Sequence, residues 1–321
     1  MMKVVILDDW EGYFTNSPEI KRLQQHFEVH IFHDEPSYEQ LKSRVIDADI
    51  IIPIRERTSF TKDFLKQLKK IKLIAQTGGG IAHIDLDEAK RLQIPIATTP
   101  GGSSAVVELI FGFILTFSRN LQILNQNVKK GHWPQSIGVG LEGKTIGIIG
   151  LGKIGSGVAK IAKAFNMRVI AWGPRLTMER AAKQDVTYTS LEQLLAESHF
   201  VVTAVRLVPE TKNLLTSYHF SLMREDAFFI NTSRGEIIDE KALLDVLVNK
   251  KIAGAGLDVF SHEPIHPTHP LLQIDNVILS PHIGWKTDNM FNQFLKVSID
   301  NIISYIIERE PKRIINPQVL P

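Results

Sequence analysis

Cysteine is absent from all 321 residues, which rules out disulfides, thiolate metal sites and a cysteine nucleophile. Apolar runs are short: none reaches the roughly 20 residues of a membrane-spanning helix without polar interruption, and the one at the start, MMKVVILDDW, is too short for a signal peptide. A cytoplasmic protein with no membrane partner is the resulting expectation. Charge of one sign is also lacking, since 37 Lys and Arg face 35 Asp and Glu for a net charge of +2. No basic run is long enough to track a phosphate backbone, so no nucleic-acid partner is expected. Low-complexity segments and short-period repeats are missing too, which excludes a solenoid.

What is present is enough apolar residue, 44%, to build cores for about two domains of the usual size. In the first hundred residues apolar runs alternate with amphipathic ones: VVIL, SPEIKRLQQHF, VHIF, SYEQLKSRV, ADIIIPI, TKDFLKQL, IKLIAQ, DLDEAKRLQ and IPIAT. The pattern predicts five strands and four helices. Ser17 before Pro18 has the form of a helix N-cap, and Ser37 with Gln40 that of a capping box. Alternation of this kind implies a parallel sheet covered on both faces. PGGSS then marks a boundary near residue 102. The long segment AVVELIFGFILTFSRNLQILNQNVKK follows, apolar nearly all round in its first turns, as suits burial between domains or subunits. A second alternating run goes from KTIGIIG to NVILS, and a last amphipathic helix is expected over about residues 287–309. The fold class is therefore α/β, with two doubly wound parallel-sheet domains.

IIGLGKIG places Gly150, Gly152 and Gly155 after a strand and at the start of a helix. That is the context in which G-x-G-x-x-G binds a dinucleotide: a tight turn, close backbone approach to a pyrophosphate, and helix N–H groups aimed at an anion. An acidic residue usually closes the next strand to hold the adenosine ribose. VIAWGPRL has Gly173, Pro174 and Arg175 there instead. A missing carboxylate with a nearby guanidinium admits a 2'-phosphate, so NADP is at least as good a fit as NAD.

Ligands of open parallel sheets bind outside the carboxyl ends of the strands. By that rule Arg55 follows ADIIIPI, Gly78, Gly79 and Gly80 follow IKLIAQT, Ser233 and Arg234 follow AFFINT, Asp258 ends AGAGL, and His282 follows NVILSP. A hydride donor opposite a 2-oxo acid needs a carboxylate clamp and a proton donor. Arg234 suits the clamp and His282 the acid, with Glu263 able to hold the other ring nitrogen. The bare glycines at 78–80 can offer N–H groups to a carboxylate.

GLGKIGSGVAK, INTSRGEIIDEKAL, GLDVFSHEP and NVILSPHIG together resemble the family of D-isomer-specific 2-hydroxyacid dehydrogenases over essentially the whole chain. The resemblance implies a Rossmann cofactor domain at 102–285 and a flavodoxin-like substrate domain formed by 1–101 with 286–321. It implies catalytic Arg234, Glu263 and His282, and substrate contacts at Arg55 and Gly78 to Gly80. Nicotinamide contacts fall on the backbone of Thr232 and Ser233 and on Asp258. The remaining cofactor positions are Gly150, Gly152, Lys153, Ile154, Gly155, Gly173, Arg175, Arg206 and Gly284. No metal is implied, and a homodimer interface is expected on the long helix after residue 102. Four features depart from the pattern: Gly173 for the ribose acid, Arg206 in VVTAVRLVPET, His83 in GGGIAHID, and Trp285. Arg57, in IRERT, is expected to be exposed.

SHEPIHPTHP contains H-E-x-x-H from His262 to His266, the zinc peptidase pattern, but that needs both histidines on one helix face and Pro264 lies between them. A non-catalytic nicotinamide-sensing corepressor keeps the same three residues; the want of an appended recognition module favours an enzyme. Formate dehydrogenases share the fold but use a non-acidic partner where Glu263 stands. A D-3-phosphoglycerate dehydrogenase is the narrower alternative, disfavoured by an end at INPQVLP with no regulatory domain.

Overall fold

The structure is a computed structural model describing residues 1–320. It separates into two compact units, Met1–Gly102 joined by the chain from Lys286 onward, and Ser103–Trp285.

The first unit is built on a parallel sheet of β1 (Lys3–Leu7), β2 (Glu28–Ile31), β3 (Ile50–Pro53), β4 (Leu73–Gln76) and β5 (Ile96–Thr98), in the order β2-β1-β3-β4-β5. This is the flavodoxin-like order, with its switch point between β1 and β3. The four expected helices lie between these strands, and their starts have the local causes read from sequence. The Ser17 hydroxyl accepts from the Glu19 N–H, Ser37 and Gln40 form a complete capping box, and Thr61 and Asp85 cap the next two helices. Val5, Leu7, Ile51, Ile74 and Ile96 point into one core with Phe60, Phe64 and Leu65. The last helix, Asp288–Ile303, buries Phe291, Phe294, Leu295, Ile299 and Ile302. It belongs here because its end is tied to β5: Asn301 donates to the Thr98 carbonyl, and Asn316 both accepts from Ile96 N–H and donates to the Ile94 carbonyl. The expected single helix to residue 309 instead widens into a π turn over Ser304–Glu308 and stops at Arg309, whose φ is +63°.

The second unit holds seven parallel strands: β6 (Thr145–Ile149), β7 (Arg168–Trp172), β8 (Thr187–Tyr188), β9 (Phe200–Thr203), β10 (Phe228–Asn231), β11 (Gly254–Leu257) and β12 (Val277–Leu279). Their order is β12-β11-β10-β9-β6-β7-β8, the dinucleotide-binding arrangement with its switch point between β6 and β9. Alternate strand residues feed opposite cores. Ile146, Ile148, Val169, Val202 and Ile230 face one, while Ile149, Ile170, Val201, Phe229 and Ala255 face the other. The edge strand β8 was not expected, being two residues long.

The long segment after residue 102 is two helices rather than one. Ser104–Ser118 and Leu121–Lys129 are bent by 62° at Asn120, which adopts left-handed backbone with φ +53°. The first is largely buried. The second buries nothing within the unit and leaves Leu121, Ile123 and Val128 about half exposed, and Trp133 beyond it is 81% exposed. Among the described residues no single helix is long and apolar enough to cross a membrane.

Candidate active site

β6 runs straight into the glycine turn. Gly150 has φ +104°, and a Cβ there would sit 2.7 Å from Val205 and 2.8 Å from the Ala204 backbone of the adjoining β9 loop. Gly155 lies closer still, since its Cβ would be 2.0 Å from the Gly150 carbonyl oxygen. Only glycine allows this helix to start so near its strand. Gly152 is the N-cap of the helix Lys153–Ala164, with no side-chain capping bond and open space where a Cβ would stand. The first-turn N–H groups, including those of Lys153 and Ile154, therefore face outward as an anion site. Nearby, the Thr232 hydroxyl is buried without a protein partner. These features fit a dinucleotide.

Gly173 ends β7. A Cβ there would meet Leu176 at 3.5 Å and Gly150 at 3.6 Å, ordinary contacts, so an acidic side chain is missing without being sterically barred. Arg175 and Arg206 are exposed. A third guanidinium, Arg180, was missed by the sequence reading; it donates to the Arg175 carbonyl at 2.6 Å from the helix Met178–Ala182. Its signal was available, as an arginine in the first turn of a Thr-capped helix directly after the loop.

Three neighbouring strands carry the polar residues. Register pairs Asn231 with Leu257 and Leu257 with Leu279, so β10, β11 and β12 end level with one another. Arg234 follows β10 by three residues, Asp258 follows β11 by one, and His282 follows β12 by three. The β10 and β11 loops touch through Gly235, whose Cβ would be 2.0 Å from the Phe260 carbonyl carbon and 2.3 Å from Ser261 N. His282 Nδ1 lies 2.6 Å from Glu263 Oε2, and the other Glu263 oxygen accepts from Phe260 N–H at 2.9 Å. Burial pulls the Glu263 carboxyl upward, but the His282 hydrogen bond, the Phe260 N–H and the charges of His282 and Arg234 outweigh it and hold the group below its ordinary value. An ionised Glu263 accepts only, so Nδ1 carries the proton and Nε2 is left for another partner. The segment from His262 to His266 is not helical, so its two histidines do not share a helix face.

His282 itself has left-handed backbone, φ +51°, uncommon for a residue other than glycine. What holds it there is Asp258. Its carbonyl accepts from His282 N–H at 3.0 Å. Its buried carboxylate accepts from Ser280 Oγ at 2.5 Å and from the Ile283 and Gly284 N–H groups at 2.8 Å each. The nicotinamide role that the resemblance gives to Asp258 is thus joined by a different one, fastening the histidine loop. Ser233 N–H is likewise committed, to Asn231 Oδ1 at 3.0 Å, while Asn231 Nδ2 holds the Arg234 carbonyl at 3.1 Å. Arg234 is exposed, its guanidinium reaching the Ser233 carbonyl at 2.7 Å.

In the first unit, Arg55 also has left-handed backbone, φ +58°, with its N–H on Thr77 Oγ1 at 2.8 Å. Gly78 is not available as an anion donor: its N–H goes to Thr99 Oγ1 at 2.6 Å. Gly79 and Gly80 donate to no protein acceptor among the described residues. His83 lies edge-on to Phe60 with Nε2 at 3.3 Å from Gln76 Oε1, and burial pushes its pKa down. Arg57, expected to be exposed, is held instead. Its side chain is only 7% exposed, pairs twice with Glu11 at 2.7 and 2.8 Å, and stacks on Trp10 at 4.3 Å.

Comparison with known proteins gives these features a family. The family model for D-isomer specific 2-hydroxyacid dehydrogenase, NAD binding domain, matches residues 111–284. The chain belongs to the D-isomer-specific 2-hydroxyacid dehydrogenase family. It is 31% identical to a glyoxylate reductase of Korarchaeum cryptofilum over 94% of this chain and 93% of that one. A D-3-phosphoglycerate dehydrogenase of Methanocaldococcus jannaschii is 35% identical over 90% of this chain but only 54% of its own length. Among solved structures, a putative D-3-phosphoglycerate dehydrogenase oxidoreductase from Ralstonia solanacearum matches with TM-score 0.90 and 31% identity, covering 100% of this chain and 98% of that one. As a member of this family the protein is an NAD(P)-dependent oxidoreductase acting on CH–OH donors of the 2-hydroxy acid type.

Proposed function

We propose that the enzyme reduces a small 2-oxo acid such as glyoxylate, hydroxypyruvate or pyruvate to the D-2-hydroxy acid. The seven-stranded unit binds the coenzyme and the five-stranded unit contributes to the substrate site. The observation that carries this reading is the His282–Glu263 pair at 2.6 Å, on loops from adjacent strands beside Arg234. A bound nicotinamide supplies the hydride. Arg234 fixes the acid through its carboxylate with a planar fork of donors. His282 delivers the Nε2 proton to the carbonyl oxygen as charge builds there, and Glu263 stabilises the imidazolium and fixes the ring through Nδ1. Asp258 keeps His282 in the turn that makes this possible. Microscopic reversal makes neutral His282 the base for oxidation.

We favour NADPH as the reductant. Support comes from the sterically permitted but absent acid at Gly173, from the exposed guanidinium groups of Arg175 and Arg180 after it, and from exposed Arg206 after β9. A homodimer is supported by the exposed apolar residues of the helix Leu121–Lys129 and by Trp133. An absorbance assay at the nicotinamide band over a panel of 2-oxo acids, with each coenzyme in turn, tests the reading. Turnover of at least one small acid is expected, faster with NADPH. Dinucleotide binding with no turnover of any acid would leave a sensor, and the proposal would fall.

A further inference from the structure

The carboxyl edge of the five-stranded sheet bears on which acid is used, if the 2-oxo acid reading is right. Its switch point lies between β1 and β3, and Arg55 and Glu56 leave β3 there. The two side chains flank the glycine turn after β4. Arg55 Nη1 occupies the space beside Gly78, 2.0 Å from where a Cβ would be. Glu56 Oε1 occupies the space beside Gly80, 1.6 Å from where a Cβ would be. Glu56 Oε2 is 3.3 Å from Arg55 Nε, so a carboxylate partly neutralises the guanidinium of this turn. His83 senses both, since its burial-lowered pKa is raised by Glu56 and lowered by Arg55.

The other cations on this edge have a carboxylate beside them too. Arg57 is paired twice with Glu11, and Lys286 lies 3.1 Å from the same carboxylate. Asp8 and Asp9 are buried at the end of β1. Arg57 and Lys286 thus share the Glu11 carboxylate, and Arg55 has the Glu56 carboxylate beside it. Phosphate recognition calls for the opposite, a cluster of uncommitted guanidinium or ammonium donors.

We propose that Glu56 is a specificity-determining residue that confines the enzyme to 2-oxo acids carrying one negative charge and excludes those bearing a phosphate at the far end. A second anionic group entering beside Gly80 meets the Glu56 carboxylate. The Gly79 and Gly80 N–H groups and Arg55 still hold a single carboxylate or polar group.

Steady-state kcat/KM for hydroxypyruvate and for 3-phosphohydroxypyruvate, in the wild type and in Glu56→Gln and Glu56→Ser, tests this. The wild type should prefer hydroxypyruvate by about a hundredfold or more. Both variants should raise kcat/KM for the phosphorylated acid about tenfold or more, through a lower KM, without a matching rise for hydroxypyruvate. A rise cannot come from damaged folding. The proposal is overturned if the wild type takes the phosphorylated acid as readily as hydroxypyruvate, or if neither variant gains on it. Failure of the wild type to reduce any small 2-oxo acid with either coenzyme would overturn the underlying reading, and this proposal with it.

Discussion

The two sheets finish alike and diverge one residue later. Each places a chemically important side chain on left-handed backbone just past a strand, His282 after β12 and Arg55 after β3. In the seven-stranded unit the residues around that turn are locked by backbone: Asp258 gathers two N–H groups and a hydroxyl, and Gly235 lets the Arg234 loop touch the Phe260 carbonyl carbon. In the five-stranded unit the Arg55 backbone is fastened too, by Thr77 and Gln76, but what fills the space beside Gly78 and Gly80 is the tips of the Arg55 and Glu56 side chains. The rigid edge suits chemistry, where a misplaced proton donor is useless. The adjustable edge suits selectivity, where one side-chain change redirects the choice of acid.

The contrast can be broken most sharply at its glycines. Gly235→Ala forces a Cβ into Phe260 backbone and should cost about 1–3 kcal/mol or more, with most of the turnover, since both Arg234 and Glu263 move. Gly80→Ala meets only the flexible end of Glu56 and should cost about 0.5 kcal/mol or less. Paired denaturant titrations check this, and equal costs would erase the distinction. Glu263→Gln probes the ion pair by its pH dependence. A carboxyl whose folded-state pKa is lowered stabilises the fold above its unfolded value, ordinarily 4.5, and loses that contribution as pH falls through the lowered value. The stability gap between wild type and variant should hold at neutral pH and close only in acid below about pH 4.5; a gap that closes near neutrality contradicts it. A further effect is expected on the coenzyme. Arg175→Ala with Arg206→Ala should weaken NADPH binding about tenfold and NADH little, read by fluorescence titration; equal losses would mean that neither guanidinium meets the 2'-phosphate.

Much of this was legible in the sequence, for physical reasons that differ by element. Continuous apolar runs such as VVIL marked the five strands of the first unit, and the run from KTIGIIG to NVILS marked the second sheet, because parallel strands are buried on both faces. Such runs could not mark β8, Thr187–Tyr188, which is too short to carry a pattern. The glycine turn was readable because backbone approach leaves only one residue type possible. The break at Asn120 was not, since nothing in FSRNLQ distinguishes a left-handed asparagine from a helical one. Whether a donor is already committed is also tertiary information: the Gly78 N–H on Thr99 and the Arg57 pair with Glu11 each join segments distant in sequence. Glu56 escaped notice because its meaning comes from the glycine it lies against, 24 positions on.

The proposed chemistry depends on His282 as the proton donor. Its most direct test is His282→Gln, with turnover of the best 2-oxo acid and coenzyme affinity measured on the same preparation. Turnover should fall about 10²-fold to 10⁴-fold while the coenzyme binds as tightly as before. Turnover within about threefold of the wild type would contradict that role, whatever the distances at the strand ends.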